Sequence, residues 1–144
     1  MNIEQAFSIP ASGLSAQRER LNAISSNLAN INSTKTSEGG PYRRQDVLFS
    51  SVPLEEGFQA MLGQSRKALQ KVEVTEIISS QKPFKKVFEP EHPDANAEGY
   101  VSYPNVNPME EMVNMISALR SYEANVTVLG AVKSMAQKAL EISG

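Results

Sequence analysis

A long helical segment near the C-terminal end of the chain constrains the fold more than any other feature. Asn107 and Pro108 form a typical helix start, with an N-cap residue followed by proline at the first helical position. From there to Ile142 no further proline occurs, and Gly130 is the only glycine. A helix of about 35 residues spans about 50 Å, whereas a compact chain of this size has a radius of gyration of about 15 Å. We therefore predict that this helix projects and needs a partner.

Apolar side chains recur along this segment at heptad spacing. They fall in two series, Met112, Leu119, Val126 and Leu140 in the first and Met115, Tyr122, Leu129 and Ala136 in the second. Lys133 interrupts the first series, and Val132 beside it continues the apolar stripe. Such a stripe is typical of a helix that packs against another helix. We expect part of it to contact a second helix of the chain and the rest to be available to other chains.

A shorter helix is predicted near the N-terminus, from about Ser12 to Ile31. Its seven-residue repeat consists of Phe7, Leu14, Leu21 and Leu28, with Ala11, Ile24 and Ile31 at intermediate positions. Pro10 has no N–H and crowds the preceding turn of a helix. The prediction is therefore that the main helix begins after Pro10 and that residues 2–9 form a separate or kinked leading turn. Asn30, Asn32 and Ser33 mark its end.

The segment between the helices predicts a small β part. The expected elements are a loop at 33–41, a strand at Tyr42–Phe49, a loop with a helical turn at 50–67, a strand at Lys71–Thr75 continued by Ile77 and Ile78, a strand at Phe84–Phe88 and an extended piece at Tyr100–Tyr103. The strand that begins at Lys71 alternates between apolar and polar residues, as a strand with one wet face does. The connection 79–83 has hairpin length, so Phe84–Phe88 is predicted to be its partner.

These elements predict a fold that is mainly α with a small β part. Residues 1–34 are expected to form the N-terminal helix of a coiled-coil-like inner domain, and residues 105–144 its C-terminal helix. Residues 35–104 are expected to form a small β-hairpin middle domain.

Composition argues against several classes of function. The net charge is −2, with scattered Lys and Arg residues, so nucleic-acid binding is not expected. The chain has no cysteine and a single histidine, His92, in a loop without converging partners. It also lacks a Gly-rich phosphate loop. We predict no enzyme activity, no catalytic residues, no cofactor, no metal and no small-molecule substrate.

Two observations bear on membranes and secretion. No run approaches the roughly 18 apolar residues that cross a bilayer, so membrane insertion is not expected. The first residues lack a basic segment followed by a long apolar run, so no cleaved secretory signal peptide is predicted.

Two separated segments resemble the signatures of a known family. Residues 12–34, with Ser26-Asn27-Leu28-Ala29-Asn30 at their centre, resemble the N-terminal signature of flagellar rod and hook axial proteins. Residues 99–107 and 111–125 are similar to the proximal-rod subtype, the FlgC type, as are residues 39–44 and 88–90. The resemblance covers both ends of the chain and fades between residues 50 and 70.

This resemblance implies a structural subunit of the flagellar basal-body rod, which crosses the periplasm and transmits torque. Its implied partners are copies of itself, other flagellar rod proteins and the flagellar export apparatus, which carries it without a cleaved signal peptide. The residues alone leave open a second reading, a cytosolic coiled-coil adaptor that binds a partner protein.

The candidate site is an assembly interface on the two helices. Its residues are Leu14, Leu21, Ile24, Asn27, Leu28, Asn30, Asn105, Asn107, Met112, Met115, Leu119, Tyr122, Asn125, Val126 and Leu129. The apolar members are expected to serve both as intramolecular core and as contact between subunits. Asn27, Asn30 and Asn125 either cap or face water, or fix helix register between subunits through buried hydrogen bonds. Asn105 and Asn107 are explained as a turn and a cap. Arg44 and Glu111 are expected on solvated faces.

Overall fold

The computed structural model describes residues 3–54 and 69–143 of the chain. Within these ranges the elements are α1 (Ile3–Ala29), β1 (Gln45–Pro53), β2 (Gln70–Ser79), β3 (Lys85–Phe88), β4 (Tyr100–Tyr103) and α2 (Pro108–Ser143). Two long terminal helices thus flank two small antiparallel sheets. The predicted fold class, mainly α with a small β part, is confirmed.

The start of α2 is set by Asn107. Its Oδ1 accepts a hydrogen bond from the Met109 N–H at 3.0 Å, and its carbonyl accepts one from the Glu111 N–H at 3.0 Å. The predicted N-cap is therefore confirmed. With 36 residues α2 is about 54 Å long, and α1, with 27 residues, is about 40 Å long.

The predicted start of the first helix is wrong, because α1 runs without a break through Pro10. The ring of Pro10 is buried, so its packing stabilises α1 at the position where proline costs the helix a backbone hydrogen bond. Tertiary packing supplies most of the stability of a helix in a protein and overrides local propensity. Residues 3–9 therefore belong to the main helix.

The two helices pack antiparallel in one register. Asn27 of α1 is bonded to Glu111 of α2. Fourteen residues away on each helix, Gly13 faces Asn125, and a Cβ atom at Gly13 would lie 2.9 Å from the Asn125 Oδ1. Small buried side chains, those of Ala16, Ala23 and Ala118, accompany these contacts and let the helices approach closely. In this register α2 extends about 12 Å past Ile3, the first described residue.

The two heptad series of α2 separate in the structure. The second series, Met115, Tyr122, Leu129 and Ala136, is half-buried on the side that faces α1. In the first series, Met112 is 52% exposed, Leu119 44% and Val126 46%. The apolar stripe of α2, which is continuous in the sequence, therefore has one half that packs within the chain and one half that faces outward.

The pairing of the strands differs from the prediction. β2 pairs antiparallel with β1, from Gln45 opposite Ser79 to Pro53 opposite Gln70, with a bulge between Leu48 and Phe49. The predicted hairpin between β2 and β3 is wrong, because β3 pairs with β4. One edge of β2 is occupied by β1, and at the other edge the Val72 N–H donates to the Ser12 hydroxyl of α1 at 3.1 Å. At least this part of the second edge is therefore closed to β3.

β1 is displaced from its predicted position. It begins at Gln45 rather than Tyr42 and continues to Pro53, so that residues 50–53 of the predicted loop are strand. Proline is tolerated at the end of β1, where no ladder N–H is needed. The remainder of the predicted segment, from residue 55 onwards, lies outside the described residues. The predicted extended piece at Tyr100–Tyr103 is confirmed as β4.

Candidate functional site: a polar junction and an outer strip

Six residues at one end of the helix pair form a hydrogen-bonded cluster that we call the polar junction. Its members are Asn27, Tyr42, Arg44, Gln45, Asn105 and Glu111. They come from α1, from the segment that leads into β1, from the first residue of β1, from the turn after β4 and from the first turn of α2. One cluster therefore ties most of the described elements together.

Asn27 lies at the centre of the junction and is fully buried. Its Nδ2 donates to the Glu111 Oε2 at 3.0 Å and to the Gln45 carbonyl at 2.8 Å. Its Oδ1 accepts from the Gln45 N–H at 2.8 Å and from the Tyr42 hydroxyl at 3.0 Å. Every donor and acceptor of the carboxamide is used. Because it bonds to both backbone groups of Gln45, the carboxamide pairs with the edge of β1 as a neighbouring strand would.

Glu111 is a fully buried carboxylate. Its Oε1 accepts a hydrogen bond from the Arg44 Nε at 2.5 Å, and its Oε2 accepts the one from Asn27. The Arg44 side chain is 16% exposed and also pairs with Asp46 at 3.0 Å. Burial of the guanidinium opposes its charge, but the hydrogen bonds to Glu111 and Asp46 outweigh this and raise the pKa of Arg44. The guanidinium therefore stays charged at any ordinary pH.

Asn105 joins the strands to the junction. Its Oδ1 accepts from the Arg44 N–H at 2.8 Å, and its Nδ2 donates to the carbonyls of Lys82 at 2.9 Å and Ser80 at 3.3 Å. These bonds fix the turn before α2 to the residue that precedes β1, Arg44, and to the connection between β2 and β3, at Ser80 and Lys82. Asn105 is more than a turn residue, since it cross-links three stretches of backbone.

The other predicted asparagines have local roles. Asn30 donates to the Ser26 carbonyl at 2.9 Å and accepts from the Ser33 hydroxyl at 3.1 Å, which closes the end of α1. Asn125 donates to the Ser121 carbonyl at 2.9 Å and holds its side chain beside Gly13. Asn107 caps α2, as described above.

The apolar candidates divide by burial. Ile24 is buried, and Leu14, Leu21, Leu28, Met115, Tyr122 and Leu129 are half-buried. Met112, Leu119 and Val126, together with Ile116 at 56% exposure, form an exposed row that we call the outer strip. Such a row on a projecting helix is large for a surface that meets only water. The structure therefore offers two features with different roles, a buried junction and an open apolar surface.

The expectation that Arg44 and Glu111 lie on solvated faces is wrong. Glutamate in the first turn of a helix suits the helix dipole. Because this preference explains Glu111 without any burial, its burial was not predicted. A usable signal was present: Glu111 precedes Ala118 by seven residues and Asn125 by fourteen, and all three face α1. Nothing in the spacing of Tyr42, Arg44 and Gln45 indicates that they join the same cluster.

The described residues contain no group of three or more His, Cys, Asp or Glu side chains that could hold a metal ion. His92 is used locally, since its Nδ1 accepts from the Asp94 N–H at 3.1 Å. Neither described helix is long and apolar enough to cross a membrane. The described residues thus offer hydrogen bonds and apolar contacts.

Comparison with known proteins defines the class. A family model for flagella basal body rod protein matches residues 9–35, and one for the C-terminal part of flagellar basal body rod FlgEFG protein matches residues 97–142. These two segments cover most of α1 and α2, the helices whose outward face has just been described. The class is that of flagellar basal-body rod proteins.

Full-length relatives refine this class. The flagellar basal-body rod protein FlgC of Bacillus subtilis is 44% identical over 150 residues, with 99% of each chain covered. Those of Salmonella typhimurium and Borreliella burgdorferi are 45% and 41% identical, with 99% of this chain and 98% of theirs covered. The chain belongs to the FlgC family of flagellar basal-body rod proteins. It is a structural subunit of the basal-body rod.

The junction makes a prediction about stability. Arg44→Met removes the charge that compensates buried Glu111, so the free energy of unfolding should fall by about 3–5 kcal/mol. The matched control is Lys71→Met, which removes an exposed ion pair with Glu73 and should cost less than about 1 kcal/mol. Urea unfolding followed by circular dichroism measures both. Equal losses for the two variants would contradict the central role of the Arg44–Glu111 pair.

Proposed function

We propose that the chain assembles with copies of itself and with other rod proteins through the outer strip of α2, and that the resulting rod transmits torque across the periplasm. The observation that carries this proposal is the split of the α2 stripe. One half is used within the chain, and the other half remains 44–56% exposed.

Burial of the outer strip against a neighbouring subunit would stabilise the assembly. Removing apolar surface from water contributes about 25 cal/mol per Å². An apolar row along a helix is the shape that a second helix covers, with residues spaced as Met112, Leu119 and Val126 are. The half-buried candidates Met115, Tyr122 and Leu129 would then contribute indirectly, by holding α2 against α1 and so orienting the strip.

The candidate asparagines also contribute to assembly indirectly, through bonds within the chain. Asn27 and Asn105 are bonded within the chain, so their part in assembly is to keep the helix pair and the turn in place. Asn30, Asn107 and Asn125 set the ends and the packing of the helices. On this proposal residues 1–34 and 105–144 form the inner, assembling domain, and residues 35–104 form the middle domain.

We infer that the chain reaches the rod through the flagellar export apparatus without removal of a signal peptide. The proposal rests on membership of the FlgC family. Mass spectrometry of the chain recovered from isolated basal bodies should find a peptide that begins at residue 1 or 2. A chain that begins well inside α1 would overturn this proposal.

The assembly surface can be tested by placing a charge on it. Leu119→Asp puts a carboxylate into the outer strip, where burial against a neighbour would leave it unpaired, so motility in soft agar should be lost while the cellular level of the chain is kept.

The control is Ser117→Asp, which adds the same charge at an exposed polar position on the opposite flank of α2. This variant should swim normally. Normal swimming by the Leu119→Asp strain would contradict the outer strip as an interface. Immunoblots of both strains distinguish loss of assembly from loss of the protein.

A further inference from the structure

The small sheet of β3 and β4 exposes a pair of aromatic side chains. Phe88 lies directly opposite Tyr100, and their ring centroids are 5.3 Å apart in an edge-to-face arrangement. Phe88 is 61% exposed and Tyr100 is 42% exposed. Among the described helices and strands, β3 and β4 contact only each other. Two aromatic rings on one face of this sheet are therefore open to a partner from outside the chain.

The Phe88 ring is restrained by its neighbours although it is exposed. Gly99 adopts a φ of 81°, and a Cβ atom there would lie 2.8 Å from the Phe88 Cε2 and 3.2 Å from the Pro90 Cβ. The ring thus packs against the backbone of Gly99 and beside Pro90, with Tyr100 at its other side. A ring that is already held in place loses little conformational entropy when a partner covers it. An exposed and restrained aromatic side chain is typical of an anchor in an interface.

Charge is divided between the two ends of this hairpin. Lys85 pairs with Tyr103 at one end and Phe88 pairs with Tyr100 at the other, so the ends are about 10 Å apart. The first end, with the connection that leads into it, carries three lysines, and the loop that follows Phe88 carries four carboxylates. They are Lys82, Lys85 and Lys86, which we call the basic foot, and Glu89, Glu91, Asp94 and Glu98, which with the aromatic pair we call the acidic tip.

These charges are available to a partner. Within the described residues, none of the three lysines takes part in an ion pair, and neither do Glu91 and Glu98, and all five are exposed. Both glutamates lie near the aromatic pair, since Glu98 precedes Gly99 and Glu91 follows Pro90. Exposed charges about 10 Å apart are largely screened from each other at physiological salt, where the Debye length is about 8 Å. The foot and the tip of one chain therefore do not neutralise each other.

We propose that the acidic tip of one copy packs on the basic foot of the next copy, with lysine side chains against the Phe88 and Tyr100 rings. An ammonium group over an aromatic ring is attracted by the ring face, and Glu91 and Glu98 add opposite charge beside it. The partner is a second copy because the chain carries the complementary surface at the other end of the same sheet. The inference rests on the proposed assembly of the chain with copies of itself and adds a contact separate from the outer strip.

The distribution of charge selects a head-to-tail contact. A contact between two tips would bring carboxylates of both copies together, and a contact between two feet would do the same with lysines. Tip against foot joins two different surfaces of identical chains, and a contact of this kind repeats from copy to copy into a ring or a helix. A contact between like surfaces would instead close as a dimer. The proposed contact therefore extends along an assembly, as a rod requires.

Cysteine cross-linking in isolated basal bodies tests this contact, because the chain has no cysteine of its own. Lys85→Cys in the foot and Glu98→Cys in the tip are introduced singly and together, and the basal bodies are treated with a short bismaleimide. The double variant should give a ladder of linked copies on an immunoblot for this chain. Neither single variant should give a linked pair, since like ends do not meet in a head-to-tail contact.

Charge reversal tests whether the two ends attract each other. Lys82→Glu with Lys86→Glu reverses the foot, and Glu91→Lys with Glu98→Lys reverses the tip. Each double variant should lower the yield of complete basal bodies by about fivefold or more, because like charges then face each other. All four substitutions together restore opposite charges and should restore the yield. The control is Glu73→Lys with Glu76→Lys, the same change at exposed positions of β2, which should leave the yield unchanged.

The possible failures are distinguishable. If basal bodies contain the double-cysteine variant but give no ladder, the contact is wrong while the proposed function stands. Linked pairs from a single cysteine would mean that like ends meet, which would also overturn the proposal. So would a chain with all four reversals that is present at its normal cellular level and still fails to restore the yield. Absence of the unmodified chain from basal bodies would overturn the proposed function together with this inference.

Discussion

A carboxylate with no access to water, that of Glu111, is the constraint on which the rest of the structure depends. Removing an ion from water costs several kcal/mol unless a counter-charge and further hydrogen bonds compensate. Arg44 supplies the charge and Asn27 the second hydrogen bond. Because these partners come from the segment before β1 and from α1, the charge on α2 can be buried only when all three segments are in place.

This constraint explains how a chain with a thin apolar core holds a defined shape. The fully or nearly fully buried apolar side chains of the described residues are few and mostly small, such as Ala16, Ala23 and Ala118. Small side chains permit close helix packing but specify it weakly. The polar junction adds directional bonds at one end of the helix pair, and the contact of Gly13 with Asn125 adds a steric limit further along. The outer strip, which is part of the remaining apolar surface of α2, is then presented outward in a fixed orientation, as a structural subunit requires.

Much of this could be predicted from sequence. The absence of proline between Met109 and Ile142, the Asn107 cap and the heptad spacing predicted α2 correctly, because these are local signals. Pro10 misled for the same reason, since a local signal was overridden by packing of the ring. Strand pairing was missed because it depends on which edges α1 covers. The burial of Glu111 was missed because its partner Arg44 lies 67 positions earlier in the chain, and no periodicity connects them.

The most direct test of the central claim is a chromosomal deletion of the gene for this chain, scored by electron microscopy of isolated basal bodies. A structural rod subunit predicts that membrane rings form while the rod and everything beyond it are missing, and that a plasmid copy of the gene restores them. Intact rods, hooks and filaments in the deletion strain would contradict the account. The chain would then be better explained as a coiled-coil adaptor, to be pursued by identifying its cytosolic partner.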